Sequence, residues 1–173
     1  MPTGSGKTYA AVMGSIARML ASPSEIRGVR LLYITPLRAL SRDLALALQQ
    51  PIDAMAWPLR VGIRNGDTNT SERSRQLKSP PEILITTPES LCVLLAGRHC
   101  ERLFQTLETV ILDEWHELIG SKRGIQTELG LSWLRQQRPS LQTWAISATI
   151  GNLEEAAQHL SLIHISEPTR LSA

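Results

Sequence analysis

The stretch MPTGSGKT, from Met1 to Thr8, decides the fold class of this chain. Gly4 and Gly6 allow backbone N–H groups to turn inward around a phosphate, because glycine has no Cβ to obstruct the approach. Lys7 follows directly and would reach the β- and γ-phosphates of a nucleotide, while the Thr8 hydroxyl would hold Mg²⁺. The helical pattern that comes next would point its positive N-terminus at the same anion. The stretch therefore predicts a phosphate-binding loop.

Two features of this loop depart from the usual pattern. The general form has glycine five residues before Gly6, and Met1 stands there instead. A phosphate loop also normally follows a buried strand, and the first residues leave no room for one. The alternative at this point is a Gly/Ser turn that happens to precede Lys7 and Thr8. The rest of the chain must decide between the two interpretations.

Beyond the loop, short apolar runs alternate with amphipathic helical patterns. Strands are expected at 31–34, 61–63, 83–85, 110–112 and 143–146. Helices are expected at 7–20, 37–49, 71–77 and 125–137, with one more through Leu91, Val93 and Leu95. Such alternation is typical of βαβ units with a parallel sheet covered on both faces. In these α/β folds, ligands bind outside the carboxyl ends of the strands. The polar clusters of this sequence lie at such ends.

Composition narrows the class of protein. The chain has 173 residues, 42% of them hydrophobic, and a formal net charge of +2. This length suits one domain, the apolar runs are too short to span a membrane, and the charge says little about partners. Cys92 and Cys100 are too few for a disulfide framework and fit a reducing compartment, so a cytoplasmic location is expected.

A carboxylate pair follows the strand expected at 110–112. Asp113 is placed to hold Mg²⁺ opposite a phosphate loop, and Glu114 to orient and deprotonate an attacking water. By itself such a pair is more often a charge pair at a helix N-terminus, but the combination with Lys7 and Thr8 reverses that preference. His116 follows, and Ser147, Ala148 and Thr149 at the tip of the next strand offer hydroxyls that would hydrogen-bond it.

Five motifs in order resemble those of superfamily 2 DEAD/DEAH-like helicases: PTGSGKT, TPLRAL (Thr35 to Leu40), TTPESL (Thr86 to Leu91), DEWH (Asp113 to His116) and SATIGN (Ser147 to Asn152). More narrowly, RNGDT (Arg64 to Thr68) and DEWHELIGSKRG resemble the large-helicase-related (Lhr-type) branch, and the tryptophan in DEWH is most like ligase-associated DEXH-box helicases. The resemblance implies an α/β fold: a three-layer RecA-like P-loop NTPase domain with a mostly parallel sheet that lacks its first strand.

The resemblance also implies site residues. ATP and Mg²⁺ would be the cofactors, bound by the loop residues Thr3, Gly4, Ser5, Gly6, Lys7 and Thr8, with Thr8 and Asp113 on the metal. Lys7, Asp113, Glu114 and His116 would serve hydrolysis, and Ser147, Ala148 and Thr149 would couple it to nucleic acid. The nucleic-acid groove would be lined by Thr35, Pro36, Arg38, Gly66, Asp67, Thr68, Thr87 and Pro88. Lys122 and Arg123 are balanced between phosphate contacts and a solvated loop.

The expected function is therefore a fragment of an ATP-dependent DNA helicase acting in DNA repair, tracking single-stranded DNA or DNA–RNA hybrids. The resemblance implies a second RecA-like lobe in the parent chain, and an ATP-dependent DNA ligase and a nuclease as partners, with no membrane. Alternatives are a nucleotide-dependent nucleic-acid binding module, a translocase without unwinding, and an inert gene fragment. A P-loop kinase would leave TPLRAL, TTPESL and SATIGN without a role.

The C-terminal residues read differently from the rest. Leu160 to Arg170, LSLIHISEPTR, matches the translation of a transposase-type sequencing-library adapter. We expect residues 1–159 to be a partial helicase ATP-binding domain and residues 160–173 to be non-native read-through. A native helix end followed by a Ser/Pro-rich loop is the alternative.

Overall fold

The computed structural model describes residues 5–146, apart from the side chains of Ser5 and Lys7. Within this range five strands form one all-parallel sheet in the order β2-β3-β1-β4-β5. The strands are β1 (Leu31–Ile34), β2 (Val61–Arg64), β3 (Ile83–Thr86), β4 (Thr109–Leu112) and β5 (Gln142–Ala145). Each lies within about a residue of the expected run, because a fully buried strand needs apolar side chains on both faces. The expected parallel α/β sheet is confirmed.

Six helices accompany the sheet in the described range: α1 (Ser5–Ala21), α2 (Arg38–Ala54), α3 (Thr70–Lys78), α4 (Pro88–Leu95), α5 (Cys100–Phe104) and α6 (Lys122–Gln137). Apolar residues of α1 and α2 pack on one face of the sheet, against the side of β1 that carries Leu31 and Tyr33. Helices α4, α5 and α6 pack on the other face, against Leu32 and Ile34. Successive side chains of β1 thus point to opposite faces of the sheet, and helices cover both faces, which gives a fold of three layers.

Helix α2 is longer than its sequence predicted. The expected end was Gln49, just before Pro51, but the helix continues to Ala54 with Pro51 inside it. Proline has no N–H, so the carbonyl of Ala47, four residues earlier, loses its intrahelical donor. The Tyr9 hydroxyl of α1 donates a 2.8 Å hydrogen bond to that carbonyl. A contact from another helix thus replaces the bond that Pro51 removes.

Two other local structures bear on the site. Trp115 begins a short 3₁₀ turn (Trp115–Glu117) and is 2% exposed, packed in the core shared with α6. Helix α5 was not predicted, because five residues are too few for a periodic pattern.

Among the described helices, none has the length and apolarity that a membrane span requires.

Candidate nucleotide and nucleic-acid site

The phosphate-loop candidates lie at the start of α1. Lys7 and Thr8 belong to the first turn of this helix, and Gly6 is exposed, with no atom within 4 Å of where a Cβ would stand. The first helical turn therefore carries backbone N–H groups that have no intrahelical partner and favour an anion. Thr3 and Gly4 lie outside the described residues, as do the side chains of Ser5 and Lys7.

Asp113 lies at the carboxyl end of β4. Its backbone N–H donates to the Ile34 carbonyl at 2.8 Å, which extends the pairing with β1 by one residue. Its Oδ1 accepts the N–H of Glu114 at 3.0 Å. Burial raises the pKa of the Asp113 carboxyl, and the nearby Glu114 charge adds to this, while the Tyr33 hydroxyl opposes it. Asp113 is thus a half-buried carboxylate whose ionised form is disfavoured mainly by burial.

Tyr33 is the residue that sequence reasoning missed on the nucleotide side. Its ring is fully buried between β1 and α1, and its hydroxyl lies close enough to both Asp113 and Thr8 for these side chains to influence its pKa. Burial raises the pKa of Tyr33 above its ordinary value, and the Asp113 charge adds to this. The hydroxyl nevertheless has no well-oriented hydrogen bond among the described residues. The sequence held one signal for this role: a tyrosine, with its polar hydroxyl, stands inside the apolar run 31–34.

The residues around Tyr33 fit a hard cation such as Mg²⁺. Thr8 offers a hydroxyl and Asp113 a carboxylate, and both neighbour the same buried Tyr33 hydroxyl. Mg²⁺ prefers such oxygen ligands and keeps several waters of its own. The raised pKa of Asp113 agrees with this, because a cation would offset the cost of ionising a buried carboxyl. Clusters of three or more metal-ligating side chains are absent from the described part of the chain, so any such site would be completed by water and phosphate.

Glu114 has an unusual backbone conformation. Its φ is 48° and its ψ 45°, in the left-handed region that non-glycine residues rarely adopt. Its Oε2 lies 3.3 Å from Nδ1 of His116, an ion-pair distance rather than a well-oriented hydrogen bond. Strained backbone of this kind is concentrated at functional sites. The turn thus holds a half-buried carboxylate directly beside Asp113.

We expect replacement of Asp113 by Asn to stabilise the ligand-free chain by about 1 kcal/mol at pH 7.5, a gain typical of relieving a functional site. The pKa of Asp113 is raised in the folded state. As pH rises above the ordinary aspartate value, the unfolded chain ionises more readily than the folded one, so the wild type loses stability up to the raised pKa. Asparagine stays neutral throughout.

Urea unfolding of both proteins at several pH values measures this difference. The advantage of D113N should shrink as pH falls and vanish below about pH 3, where aspartate is mostly protonated in both states. An advantage independent of pH would mean that burial of the charge is not its cause.

The loops that follow β1 and β3 lie side by side. The N–H of Thr35 donates to the Thr86 carbonyl at 3.0 Å. The side chains of Thr35 and Thr87 are almost fully buried, and Thr87 accepts the Ser90 N–H as the N-cap of α4. Pro36 and Pro88 are buried as well. A strand of nucleic acid would therefore meet mainly the backbone of these loops, together with the start of α2, which has no side-chain cap.

The RNGDT loop after β2 is held by its own side chains. The Thr68 hydroxyl donates to the Ile63 carbonyl at 3.1 Å and accepts the Asn65 N–H at 3.0 Å. Arg73, on α3, donates to the carbonyls of Thr68, Asn65 and Gly66. The Thr68 hydroxyl is thus used within the loop, and Arg73 is a supporting residue that the sequence did not indicate.

Arg38, Gly66 and Asp67 are brought together across the ends of β1 and β2. A Cβ on Gly66 would lie 2.9 Å from Nη1 of Arg38, so the absence of a side chain there lets the guanidinium approach. Nη1 of Arg38 lies 3.7 Å from Oδ1 of Asp67, and both side chains are mostly exposed. An exposed pair at this distance is weak. Arg38 can therefore leave Asp67 and pair with a phosphate with little loss of interaction free energy.

The remaining residues named from the sequence are His116 with its expected partners, and the pair Lys122 and Arg123. His116 is half-buried, with Nδ1 beside Glu114 and Nε2 4.0 Å from Oε1 of Glu117. Its expected partners Ser147, Ala148 and Thr149 lie outside the described residues, so their coupling role stays a prediction. Helix α6 begins at Lys122 and not at the expected residue 125, because Ser121 caps it, so Lys122 and Arg123 lie in its first turn. Lys122 is exposed, whereas Arg123 binds Glu89 and the Pro36 carbonyl.

Comparison with known proteins gives a consistent result. Residues 1–156 match the sequence profile of the DEAD/DEAH box helicase family. The chain is 41% identical to the Lhr helicase/uracil glycosylase of Escherichia coli, over 92% of this chain and 11% of that protein. It is 39% identical to the ATP-dependent helicase Lhr-Core of Methanothermobacter thermautotrophicus, over 92% of this chain and 20% of the relative.

A solved structure resembles the fold as well. The helicase Lhr of Mycobacterium smegmatis, bound to single-stranded DNA and AMP-PNP, superposes with a TM-score of 0.74 at 34% identity. The match covers 91% of this chain and 21% of the longer one. The chain thus spans about a fifth or less of the length of these relatives.

Proposed function

This chain belongs to the DEAD/DEAH box helicase family, and on that premise we propose that it is the ATP-binding lobe of a longer ATP-dependent DNA helicase. The observation that carries the proposal is the distribution of groups along one edge of the sheet. The Asp113–Glu114 turn follows β4 near Thr8 of α1, while the loops after β1, β2 and β3 carry the residues expected to bind nucleic acid. Nucleotide chemistry and strand binding would thus share one edge at neighbouring positions.

On the nucleotide side, the proposed roles follow from chemistry and position. The loop backbone and Lys7 would hold the ATP phosphates, with Thr8 and Asp113 facing the cation. Bound Mg²⁺ would offset charge on the phosphate oxygens. Glu114 would accept a proton from the attacking water, because its carboxylate lies half-buried beside Asp113. His116 would report the state of this site to the residues after β5.

On the nucleic-acid side, the proposed contacts are to the sugar–phosphate backbone. Buried threonines and prolines shape the loops, and the uncapped start of α2 offers N–H groups to a phosphate. Arg38 supplies an exposed cation next to them. Contacts of this kind carry no base preference, which suits a protein that moves along a strand of any sequence.

The remaining parts of the proposal concern the longer protein. A second RecA-like lobe would complete the ATP site, and single-stranded DNA or a DNA–RNA hybrid would be the substrate. By family resemblance, we also propose a role in DNA repair, and an ATP-dependent DNA ligase and a nuclease as partners. The few, unpatterned cysteines are the basis for proposing a cytoplasmic location.

Measurement of ATP hydrolysis with and without single-stranded DNA tests the function, using the 173-residue chain and the longer protein that contains it. We expect DNA to stimulate hydrolysis by the longer protein and the chain alone to stay near background. A strand-displacement assay then separates a helicase from a translocase or binding module, which would hydrolyse ATP without releasing a strand. Strong DNA-stimulated hydrolysis by the chain alone would contradict the need for a second lobe.

A further inference from the structure

Arg123 links three separate parts of the fold. It is the second residue of α6, and its guanidinium extends toward the ends of β1 and β3. Nε donates to Oε1 of Glu89 at 2.5 Å and Nη2 to Oε2 of the same carboxylate at 3.4 Å. Nη2 also donates to the Pro36 carbonyl at 2.7 Å. These partners are 34 and 87 residues away in sequence.

The partners of Arg123 lie in or directly after the loops that follow β1 and β3, which the proposed function assigns to nucleic acid. Pro36 lies in the loop after β1, and Glu89 follows Pro88 in the first turn of α4. Partial burial would raise the pKa of Glu89, but hydrogen bonds from Arg123, a backbone amide and Thr87 hold it below its ordinary value. The carboxylate is therefore ionised at neutral pH and offsets the charge of Arg123.

We propose that Arg123 is a positioning residue that, through Glu89 and the Pro36 carbonyl, fixes the loops after β1 and β3 in one arrangement for a nucleic-acid backbone. The inference rests on the proposed function for what the loops bind. It assigns Arg123 a role different from a direct phosphate contact. A planar guanidinium suits this role, because it can donate to a carboxylate and a carbonyl at once, which a lysine cannot do with the same geometry.

Glu89→Gln distinguishes positioning from direct contact by the sign of its effect. If Arg123 positions the loops, E89Q and Arg123→Lys both weaken binding of labelled oligothymidylate to the longer protein, by about fivefold, since the pair is partly exposed. If Arg123 itself contacts a phosphate, E89Q releases the arginine and removes a repelling carboxylate. Binding would then become tighter, and the proposal would be overturned.

A double-mutant cycle and the salt dependence add readouts that a general loss of folding would not reproduce. E89Q combined with Arg123→Met should bind no more weakly than R123M alone, because both changes remove one interaction. R123M should leave the slope of log K against log salt unchanged, whereas loss of a direct contact lowers it by about 0.7. The neighbouring exposed Lys122 provides the control: Lys122→Gln should add to E89Q independently.

Hydrogen exchange of the 173-residue chain tests the same bridge without nucleic acid. The amides of Leu37 and Ser90 donate only long bonds of 3.4 Å to threonine hydroxyls. They should exchange faster in E89Q and R123K than in the wild type, and K122Q should match the wild type. Unchanged exchange would overturn the positioning role even if DNA binds. Altered exchange with no DNA binding by the wild type would instead reject the proposed function and keep the bridge.

Discussion

Replacement of Glu114 by Gln is expected to lower the kcat of DNA-stimulated ATP hydrolysis by about 10²–10⁴-fold, the usual contribution of a general base. Glutamine has the same shape as glutamate but cannot take a proton from water. The left-handed backbone at φ 48° is set by the turn after β4, so Glu114→Gln should keep its position. Binding of a fluorescent ATP analogue should stay unchanged, because the proposed function assigns the phosphates to residues 3–8 and not to Glu114.

Steady-state kinetics of the longer protein, with ATP-analogue binding measured in parallel, provide the test. Glu117→Gln is the matched control, since Glu117 is an exposed carboxylate three residues away on the same turn. E117Q should hydrolyse ATP at the wild-type rate. If E114Q kept most of its kcat, the base would have to be another residue. If E114Q lost ATP binding in equal measure, its carboxylate would act in binding instead.

The fold could be predicted from the sequence because β1, β3 and β4 are largely apolar and buried throughout. Leu31-Leu32-Tyr33-Ile34 is buried on both faces, so it needed no periodicity to be recognised. The ordered motifs also indicated the family, which the match over residues 1–156 confirms. The end of α2 could not be predicted, because it depends on the bond from Tyr9 to Ala47. A helix end that depends on a contact with another helix cannot be recognised from the neighbouring sequence.

The positions of candidate site residues could be predicted from the sequence where a single motif contains them. The turn at Asp113 and Glu114 follows a strand directly, so its place at the sheet edge could be inferred. Tyr33 was missed, and the alternatives for Arg123 stayed open, because the contacts of both residues come from distant parts of the chain. The narrower likeness to ligase-associated helicases and the boundary at residue 159 stay predictions.

Replacement of Gly124 by Ala is expected to destabilise the chain by about 3 kcal/mol, from overpacking combined with a lost helix cap. A Cβ at this position would lie 2.0 Å from the carbonyl oxygen of Leu118, a backbone atom that cannot rotate away. The same carbonyl accepts the Ser121 hydroxyl at 2.7 Å, and Ser121 in turn accepts the Gly124 N–H. The start of α6 would have to shift as a whole.

Thermal unfolding of the 173-residue chain measures this effect, with a fall in Tm of about 10 °C expected at this chain length. Gly14→Ala is the control: Gly14 is an exposed position within α1 that has no atom within 4 Å of its Cβ site. Alanine there should raise stability by about 1 kcal/mol, since glycine disfavours helices. An unchanged Tm for Gly124→Ala would contradict the close approach of α6 to Leu118. That approach also sets the position of Arg123, so G124A should expose the Leu37 and Ser90 amides to exchange as Glu89→Gln does.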